Sequence, residues 1–371
     1  MRKTRDVVEY LKIRILNGDY LLQSLPSERE LARETGVSYM TARKAMQELI
    51  HQGLIVRNAN GQSAVNTDLN QAGDHQHTLP IAFLVPTLHS PVVEWWQVVI
   101  EEAARRSNRT VRVVLYSHWD DVFLDQAIEG FEGLFLLPIA GVIPSTAIPR
   151  LQQARRLVVV DEDLSMHGIP SVRIIPPSSV QQLLDHLESL GHQRIGCLNV
   201  QQESMVISQR IEQWSMWMRV HGYEGPLLDM SRLPSTPHYD EQLIGRFDHA
   251  YQIMTQWLAT NRHEMTALFC TTMAAAISAM RALVDHGLQP GRDMAICVAN
   301  GEGYAQYLIP SVTSLESGDP LPYLMKCLDW LTGIMPDWRG PLLMQPATVP
   351  LCVRETTAPT QTSLSNIIMQ G

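Results

Sequence analysis

Residues 25–65 read LPSERELARETGVSYMTARKAMQELIHQGLIVRNANGQSAV, and this stretch decides the fold of the N-terminal part of the chain. Ser27 is followed three residues later by Glu30, which is the capping-box pattern that starts a helix. Gly36 permits a sharp turn after that helix, and Ser38 is a favourable N-cap for the next one. The stretch therefore predicts two helices joined by a short turn, as in a helix-turn-helix.

Apolar residues at helical spacing predict the buried faces of this region. A first helix over roughly residues 4–17 ends at Gly18 and places on one stripe Val7, Val8, Leu11 and Ile15. In the helix that follows Ser38, the predicted buried positions are Ala42, Ala45, Met46, Leu49 and Ile50. The same spacing turns outward the side chains of Tyr39, Arg43, Lys44 and Gln47.

A hairpin is predicted after the third helix. LIVR follows Gly53, and the next segment, NANGQSAV, contains Asn60-Gly61, a dipeptide that favours a two-residue hairpin turn. Such a hairpin forms a wing that lies along a DNA backbone or enters the minor groove, so the unit reads as a winged helix-turn-helix.

The outward face of the third helix carries side chains suited to reading DNA. Arg43 matches guanine edges, Gln47 matches adenine edges, and Lys44 matches a phosphate. A packed three-helix unit with a solvated charged face is the alternative interpretation. The helix lengths, the local positive charge and the Asn-Gly wing favour DNA binding.

Charge is distributed unevenly along the 371 residues, whose formal net charge is −9. Residues 1–66 hold ten Lys and Arg against seven Asp and Glu, a net of +3, so the remainder carries −12. Phosphate binding depends on Lys and Arg, and only the first segment has the matching charge.

Cysteine use and the N-terminus indicate a cytoplasmic protein. The five cysteines are odd in number and mostly lie in apolar runs, as reduced buried thiols do. The basic N-terminus lacks an apolar stretch of signal-peptide length, and no later segment resembles a membrane span. We expect no membrane partner.

After a polar stretch, NTDLNQAGDHQHTLP (66–80), short apolar runs alternate with helical patterns. The predicted strands are residues 81–85, 111–116, 133–138, 157–161, 194–199, 267–271 and 294–299. Helical spacing marks residues 94–106, 178–191 and 273–287. This alternation predicts a doubly wound α/β fold, and its length predicts two lobes facing a cleft.

Residues 7–65 resemble the winged-helix domain of the gluconate-repressor (GntR) family, which has LPSERELA, then GVSR with a following T, V, R, A and L pattern, then a glycine-containing wing. The resemblance implies DNA contacts by Arg29, Thr41 and Arg43. Tyr39 stands where the family has an arginine, which changes the expected operator. The full set of predicted DNA-binding residues is Ser27, Arg29, Ser38, Tyr39, Thr41, Arg43, Lys44, Gln47 and Gly61.

From residue 81 to 359 the chain resembles the effector domain of lac-repressor (LacI) type regulators, whose fold is like that of periplasmic sugar-binding proteins. The matching pieces are IAFLVPTLHSPVV, GLFLLP, LVVVDED, LESLGHQRIGCLN, TALFCTTMAAAISAMRALVDHGLQPGRDMAI, PSVTSLE and VPLCVRETTAP. A winged helix of the first type on a domain of the second type is the architecture of arabinose-repressor-like proteins.

The same resemblance implies an effector site. Arg210 matches an arginine that grips hydroxyls or a carboxylate, and Ser90 lies in the loop after the first strand. Two carboxylates of the family are missing, because Met273, preceded by Thr272, and Asn300 stand in their places. The predicted effector-binding residues are Ser90, Asp161, Arg210, Thr272, Met273 and Asn300.

Several alternatives stay open at this site. The ligand is a carbohydrate, another small molecule, or none. Separately, Arg210 either grips the ligand or is a surface arginine on a helix. Acidic residues such as Asp161 after a strand also serve to cap loops. One tryptophan at most is expected to stack on a sugar, from the set Trp95, Trp96, Trp119, Trp214 and Trp217.

An enzyme is the competing class, because related winged helices are fused to aminotransferase-like domains that use pyridoxal phosphate. Such a domain needs a Schiff-base lysine, and the candidate, Lys326, lies in an apolar helical pattern without a phosphate cradle. We therefore expect no enzymatic activity, no catalytic residue, no metal site and no cofactor.

The sequence thus predicts a dimeric transcription regulator, of the repressor type, that binds a near-palindromic operator and responds to a small-molecule effector. The predicted division is a DNA-binding domain at 1–66, a linker at 67–79, an effector and dimerisation domain at 80–359, and a tail at 360–371.

Overall fold

A computed structural model describes residues 2–58, 62–66, 79–87, 90–201, 204–229, 245–261 and 264–358. The chain forms two compact units. The first unit comprises Met1–Ile139, Ile143–Val172 and Pro320–Met344. The second unit comprises Ala140–Val142, Arg173–Asp319 and Gln345–Gly371.

The helices, numbered in chain order, are α1 Arg2–Leu16, α2 Glu28–Thr35, α3 Tyr39–His51, α4 Pro91–Arg106, α5 Val122–Gly130, α6 Ala147–Leu151, α7 Val180–Ser189, α8 Met205–His221, α9 Gly245–Thr260, α10 Met273–Asp285 and α11 Leu321–Leu331. The strands are β1 Ile55–Arg57, β2 Ser63–Val65, β3 Ile81–Pro86, β4 Val111–Tyr116, β5 Leu134–Leu136, β6 Leu157–Val160, β7 Ser171–Val172, β8 Ile195–Asn199, β9 Leu227–Asp229, β10 Ala267–Cys270, β11 Ala295–Val298, β12 Thr313–Leu315, β13 Leu343–Met344 and β14 Leu351–Cys352.

The winged helix forms as the sequence predicts. Ser27 caps α2 with both arms of the capping box, since its hydroxyl accepts from Glu30 N–H and its own N–H donates to the Glu30 carboxylate. Gly36 ends α2 with a φ of 66°, the left-handed conformation that suits glycine. The wing is an antiparallel pair in which Ile55 lies opposite Val65.

The apolar faces of the three helices are also confirmed, with one difference. Leu11 and Ile15 of α1 and Leu49 of α3 are fully buried. Ile50 is only partly buried and packs at the edge of that cluster.

Each unit contains one six-stranded sheet, which confirms the predicted two-lobed α/β fold. The first unit has the order β13-β7-β6-β5-β3-β4, with every neighbouring pair parallel. The second has the order β14-β12-β11-β10-β8-β9, which is parallel except for β14 at one edge. In parallel sheets the carboxyl ends of the strands share one edge, and ligands bind along that edge.

The predicted strand cores are present, but several are shorter than expected; the strand predicted at 133–138, for example, spans only Leu134–Leu136. The run patterns did not identify β7, β9, β12, β13 and β14 as strands. Each of these has only two or three residues, and the apolar runs around them are shorter than the run at 134–137 that marks β5.

Within the first unit, the winged helix packs against the α/β part that contains the sheet β13-β7-β6-β5-β3-β4. The turn Asp19–Leu21 after α1 contacts the end of α5, where a Cβ added at Gly130 would lie 2.0 Å from the Leu21 carbonyl oxygen. Asp19 joins the two parts electrostatically, since its carboxylate lies 3.0 Å from Arg14 Nε of α1 and 3.5 Å from Arg112 Nη1 of β4. One hydrophobic cluster includes buried residues of the three N-terminal helices and of β3 and β5.

The cysteines and most of the tryptophans belong to the cores of the two units. Four of the five thiols are buried, and Cys352 is half-buried. Among the tryptophans considered for ligand stacking, Trp96, Trp119, Trp214 and Trp217 are at most 8% exposed. The indole N–H of Trp214 donates to the Ile195 carbonyl, and that of Trp217 donates to Asp185. These four rings therefore serve packing.

Within the described ranges, every helix is too short or too polar to cross a membrane.

The contact at Gly130 predicts the effect of Gly130→Ala. A Cβ there meets backbone, so the winged helix and α5 must separate, and we expect a loss of about 1–3 kcal/mol in the free energy of unfolding. Amide hydrogen exchange in the 18–21 turn should become faster in the variant. Gly318→Ala is the control, because no described heavy atom lies within 4 Å of a Cβ added there. Equal denaturation midpoints for the two variants would contradict this assignment.

Candidate DNA-binding and ligand-binding sites

The exposed face of α3 carries the polar residues that the sequence predicts. Arg43, Lys44 and Gln47 are exposed, and Tyr39 at the start of the helix is 44% exposed. Ala42, Ala45, Met46 and Leu49 are buried on the opposite side. The helix thus separates a packing face from a polar face that is open to solvent.

Serine hydroxyls fix the beginnings of both helices of the helix-turn-helix. Ser38 caps α3 by accepting from Thr41 N–H at 3.2 Å, and its hydroxyl also lies 2.9 Å from that of Thr41. Ser27 has the same role in α2. Ser27, Ser38 and Thr41 therefore fix where α2 and α3 begin.

Tyr39 joins the two helices across the turn. Its hydroxyl donates to the Glu28 carboxylate at 2.6 Å, and this hydrogen bond raises the pKa of Tyr39. A side chain in this arrangement braces the start of α3 against α2, and it leaves the ring partly exposed.

An open groove of about 750 Å³ separates the start of α2 from the wing. Arg29 lines one side, and Arg57, Asn58 and Gln62 of the wing line the other. Gly61, the predicted tip residue, lies outside the described residues. The groove is polar and carries a cationic side chain on each side.

The second unit has a polar network at the carboxyl edge of its sheet. Asn199, at the end of β8, donates to Asp229 at the end of β9 at 2.8 Å. Its side-chain oxygen accepts from the Thr271 hydroxyl at 2.7 Å, just after β10. Adjacent strands thus present hydrogen-bonded polar groups at the edge where α/β sheets hold ligands.

Arg210 and Thr272 of the predicted site belong to this edge. Arg210 is 9% exposed, and its guanidinium donates to the Thr271 carbonyl at 2.8 Å. Thr272 is the N-cap of α10 and accepts from Ala275 N–H. Arg210 is therefore held on the sheet edge and is not a surface arginine.

Met273 and Asn300 have structural neighbours that the sequence reasoning did not identify. Met273 is fully buried at the first position of α10. Asn300 follows β11, and its side-chain oxygen accepts from Glu302 N–H at 3.0 Å. The Met273 backbone N–H acts on the nearby Glu302 carboxylate and opposes the rise that burial causes in the pKa of Glu302.

Glu302 is thus a candidate ligand residue that the sequence analysis missed. Its backbone is left-handed, with a φ of 50°, and its carboxylate accepts from the Tyr304 hydroxyl at 2.7 Å. Burial raises the pKa of Glu302, although Tyr304, Arg210 and Arg246 act in the opposite direction. The only sequence signal is a loop glutamate soon after a strand.

The remaining two predicted residues lie in the first unit. Ser90 is the N-cap of α4 and accepts from Val92 N–H at 3.4 Å. Asp161 follows β6 with a φ of 71°, and its N–H donates to the Val172 carbonyl. Ser90 lies in the loop after β3, and Asp161 directly follows β6. Both strands belong to the six-stranded sheet of the first unit.

No group of three or more His, Cys, Asp or Glu side chains suited to a metal ion occurs in the described part of the chain.

The shifted pKa of Glu302 predicts a pH dependence. Between the ordinary value of 4.5 and the raised one, the folded chain keeps a proton that the unfolded chain has released. The stability of the wild type relative to Glu302→Gln is therefore highest below 4.5 and falls as pH rises through the raised pKa.

Urea unfolding at several pH values from about 3.5 to about 7 checks this prediction. Glu355→Gln is the matched control, because hydrogen bonds from Ser311 lower the pKa of Glu355. The stability of the wild type relative to Glu355→Gln should therefore increase as pH rises toward 4.5. The same trend for both glutamates would contradict the assignment.

Two families match the two parts of the chain. Residues 3–65 match bacterial regulatory proteins of the gntR family. Residues 184–357 match the periplasmic binding protein-like domain.

Two relatives come from Bacillus subtilis (strain 168). The HTH-type transcriptional repressor MelR is 26% identical over 171 residues, which are 45% of this chain and 46% of MelR. The probable HTH-type transcriptional repressor ExuR is 24% identical over 187 residues, which are 50% of this chain and 53% of ExuR. The chain thus aligns with about half the length of these curated relatives.

Solved structures of LacI-type regulators share the fold. A lac repressor dimer bound to operator and the anti-inducer ONPF has a TM-score of 0.60 at 19% identity, covering 77% of this chain and 96% of that chain. A LacI family regulator from Enterococcus faecium with bound ribose has a TM-score of 0.59 at 21% identity, covering 76% of this chain and 99% of that chain. The chain therefore consists of a helix-turn-helix domain of the gntR family of bacterial regulatory proteins followed by a periplasmic-binding-protein-like α/β domain.

Proposed function

We propose that this chain is a sequence-specific DNA-binding repressor whose operator affinity changes when its α/β domain binds a small-molecule effector. The observation that carries the proposal is the exposed polar face of α3, fixed by serine caps on a helix-turn-helix with a wing. A short helix presented in this way fits the major groove.

Cationic side chains on this surface are available to phosphates. Arg29, Arg43, Lys44 and Arg57 are all exposed, and none of them forms an ion pair with an acidic side chain in the described ranges. Arg14, in contrast, is engaged by Asp19 and Glu34. The unengaged cations lie on α2, α3 and the wing, which are the elements that contact DNA in winged helices.

Each predicted residue then has a role in the proposed complex. Arg43 and Gln47 read base edges, while Lys44 and Arg29 bind phosphates. The exposed ring of Tyr39 contacts the DNA in this complex, and Thr41 lies beside Tyr39 on the first turn of α3. Ser27 and Ser38 position the two helices, and Gly61 belongs to the wing that approaches the backbone.

The partners follow from the same reasoning. MelR and ExuR are named as repressors, and the lac repressor structure is a dimer on its operator. We propose a cytoplasmic homodimer on a near-palindromic operator, with recognition helices about one helical turn apart. In this proposal the DNA-binding domain is 1–66, the linker 67–79, the effector and dimerisation domain 80–359, and the tail 360–371.

The effector in this proposal is a sugar or a sugar derivative, and the protein is not an enzyme. Ribose in the related Enterococcus faecium regulator supports this ligand class. The proposed contacts are Ser90, Asp161, Arg210, Thr272, Met273 and Asn300. Effector binding would change operator affinity by a coupling free energy of about 1–3 kcal/mol.

Replacing Arg43 by Ala tests base reading by α3. We expect a loss of about 1–3 kcal/mol in specific binding and relaxed preference at one base pair per half-site, because a bidentate guanine contact is removed. The measurement is fluorescence anisotropy with duplexes selected from the DNA flanking the chain's own gene. Arg5→Ala, on the exposed side of α1, removes the same charge and should retain specificity. Unchanged base preference in Arg43→Ala would remove α3 from the reading role.

Replacing Lys44 by Ala tests phosphate binding separately. A phosphate contact carries no sequence information, so the variant should bind all duplexes more weakly. The slope of log affinity against log salt concentration should fall in magnitude by about 1. Titrations at several salt concentrations give that slope, and a change confined to one sequence would assign Lys44 to base reading.

A further inference from the structure

An open cavity of about 370 Å³ lies at the amino edge of the first unit's sheet, and its size is that of a small-molecule site. Glu132 precedes β5 by two residues, and Arg155 and Arg156 directly precede β6, which is parallel to β5. All three residues line the cavity. Ser90 and Asp161 instead follow the carboxyl ends of β3 and β6. The cavity is therefore separate from the effector contacts proposed for this unit.

Part of the lining is aromatic and comes from α11 and the segment after it. Trp330, in the last turn of α11, and Trp338 are both half-buried, with ring centroids 5.3 Å apart at an interplanar angle of 71°. In an edge-to-face pair of this kind, the ring that contributes its edge keeps its two faces clear of the other ring. The Trp338 Nε1 atom is buried without a hydrogen-bond partner among the described residues. This part of the lining thus combines flat apolar surface with an N–H donor that lacks an acceptor.

Arg156 is held at the cavity by the end of α11. Its Nη1 atom lies 3.2 Å from the position of a Cβ added at Gly333, so the guanidinium packs directly on that glycine. Gly333 has a φ of 77°, the left-handed conformation that glycine adopts readily after a helix. Within the ranges that the structure describes, the ion pairs of the first unit leave Arg156 without an acidic partner.

The acidic residues of the lining are Glu132 and Asp337. The Glu132 side chain is 5% exposed and lies 3.2 Å from Arg155 Nη1, and Arg109 also acts on it electrostatically. Asp337 is exposed, so water and salt screen its charge. The buried carboxylate is therefore engaged already, while the half-buried guanidinium of Arg156 still offers its donors to the cavity.

We propose that this cavity binds a second small molecule, a planar aromatic carboxylic acid, whose ring packs on the Trp330–Trp338 pair and whose carboxylate is held by Arg156. A guanidinium binds a carboxylate through two parallel hydrogen bonds. A neutral sugar matches the lining less well, because its hydroxyl groups need acceptors as well as donors, and Glu132 is engaged by Arg155. The site is additional to the effector site of the proposed function and does not rest on it.

The test uses the full chain and four probes. Benzoate has both the ring and the carboxylate, benzamide has the ring without the charge, acetate has the carboxylate without the ring, and glucose has neither. Thermal unfolding is followed at constant pH and constant ionic strength, with chloride as the reference anion. For the wild type we expect benzoate to raise Tm in a saturable way, by roughly 2–4 °C at about ten times its Kd. Benzamide and acetate at the same concentration should each give a smaller rise.

Variants assign the benzoate effect to this cavity. Arg156→Gln should lose the rise in Tm, whereas Arg339→Gln, which removes an exposed arginine outside the lining, should keep it. Arg156→Lys keeps the charge but not the two parallel donors, so it should retain part of the rise even if Arg156→Gln folds poorly. Trp338→Leu should also reduce the rise, because it removes the aromatic surface while leaving Arg156 in place.

Three results would overturn the inference. The first is the absence of a benzoate effect in the wild type, and the second is an equal effect in the wild type and Arg156→Gln. The third is a rise with benzamide or acetate as large as that with benzoate, since the ring and the carboxylate would then not act together. A glucose effect that Arg156→Gln abolishes would likewise reject the aromatic acid and assign the cavity to a sugar.

Discussion

The close approach of the Leu21 backbone to Gly130 is the contact on which the arrangement of the first unit depends. No side chain larger than hydrogen fits there, so the turn after α1 lies directly on the end of α5. Asp19 adds charge interactions with Arg14 of α1 and Arg112 of β4 on either side of this contact. The DNA-binding helices thereby share one hydrophobic cluster with the first sheet's lobe.

Local signals in the sequence were sufficient for the winged helix. The capping box at Ser27 and Glu30, the glycine turn at Gly36 and the N-cap at Ser38 each involve residues within a few positions of one another. Their geometry is set by backbone chemistry that a sequence displays directly. The long strands of the two sheets were visible for a similar reason, since their apolar runs are continuous. The strands β7, β9, β12, β13 and β14 carry no such pattern.

The candidate ligand site was only partly predictable, because its members come from distant parts of the chain. Arg210 was identified through a resemblance and is indeed held at the edge of the second sheet. Glu302 was missed, since nothing in a single sequence distinguishes this glutamate from other loop glutamates that follow a strand. The loss of acidic residues at positions 273 and 300 was visible in the sequence. Glu302, two residues after Asn300, supplies a carboxylate in the same loop. The left-handed backbone of Glu302 is visible only in the structure.

The cysteines differ in exposure, so one of them can be labelled selectively for spectroscopy. Burial raises the pKa of Cys197, Cys270, Cys297 and Cys327, so these sulfurs remain protonated and shielded from electrophiles. Cys352 alone is half-buried, and it lies on β14 at the antiparallel edge of the second sheet. A maleimide dye or spin label added to the native chain should therefore attach at one position without any engineering. Such a label would report on movements of the second unit while leaving the exposed face of α3 chemically unmodified.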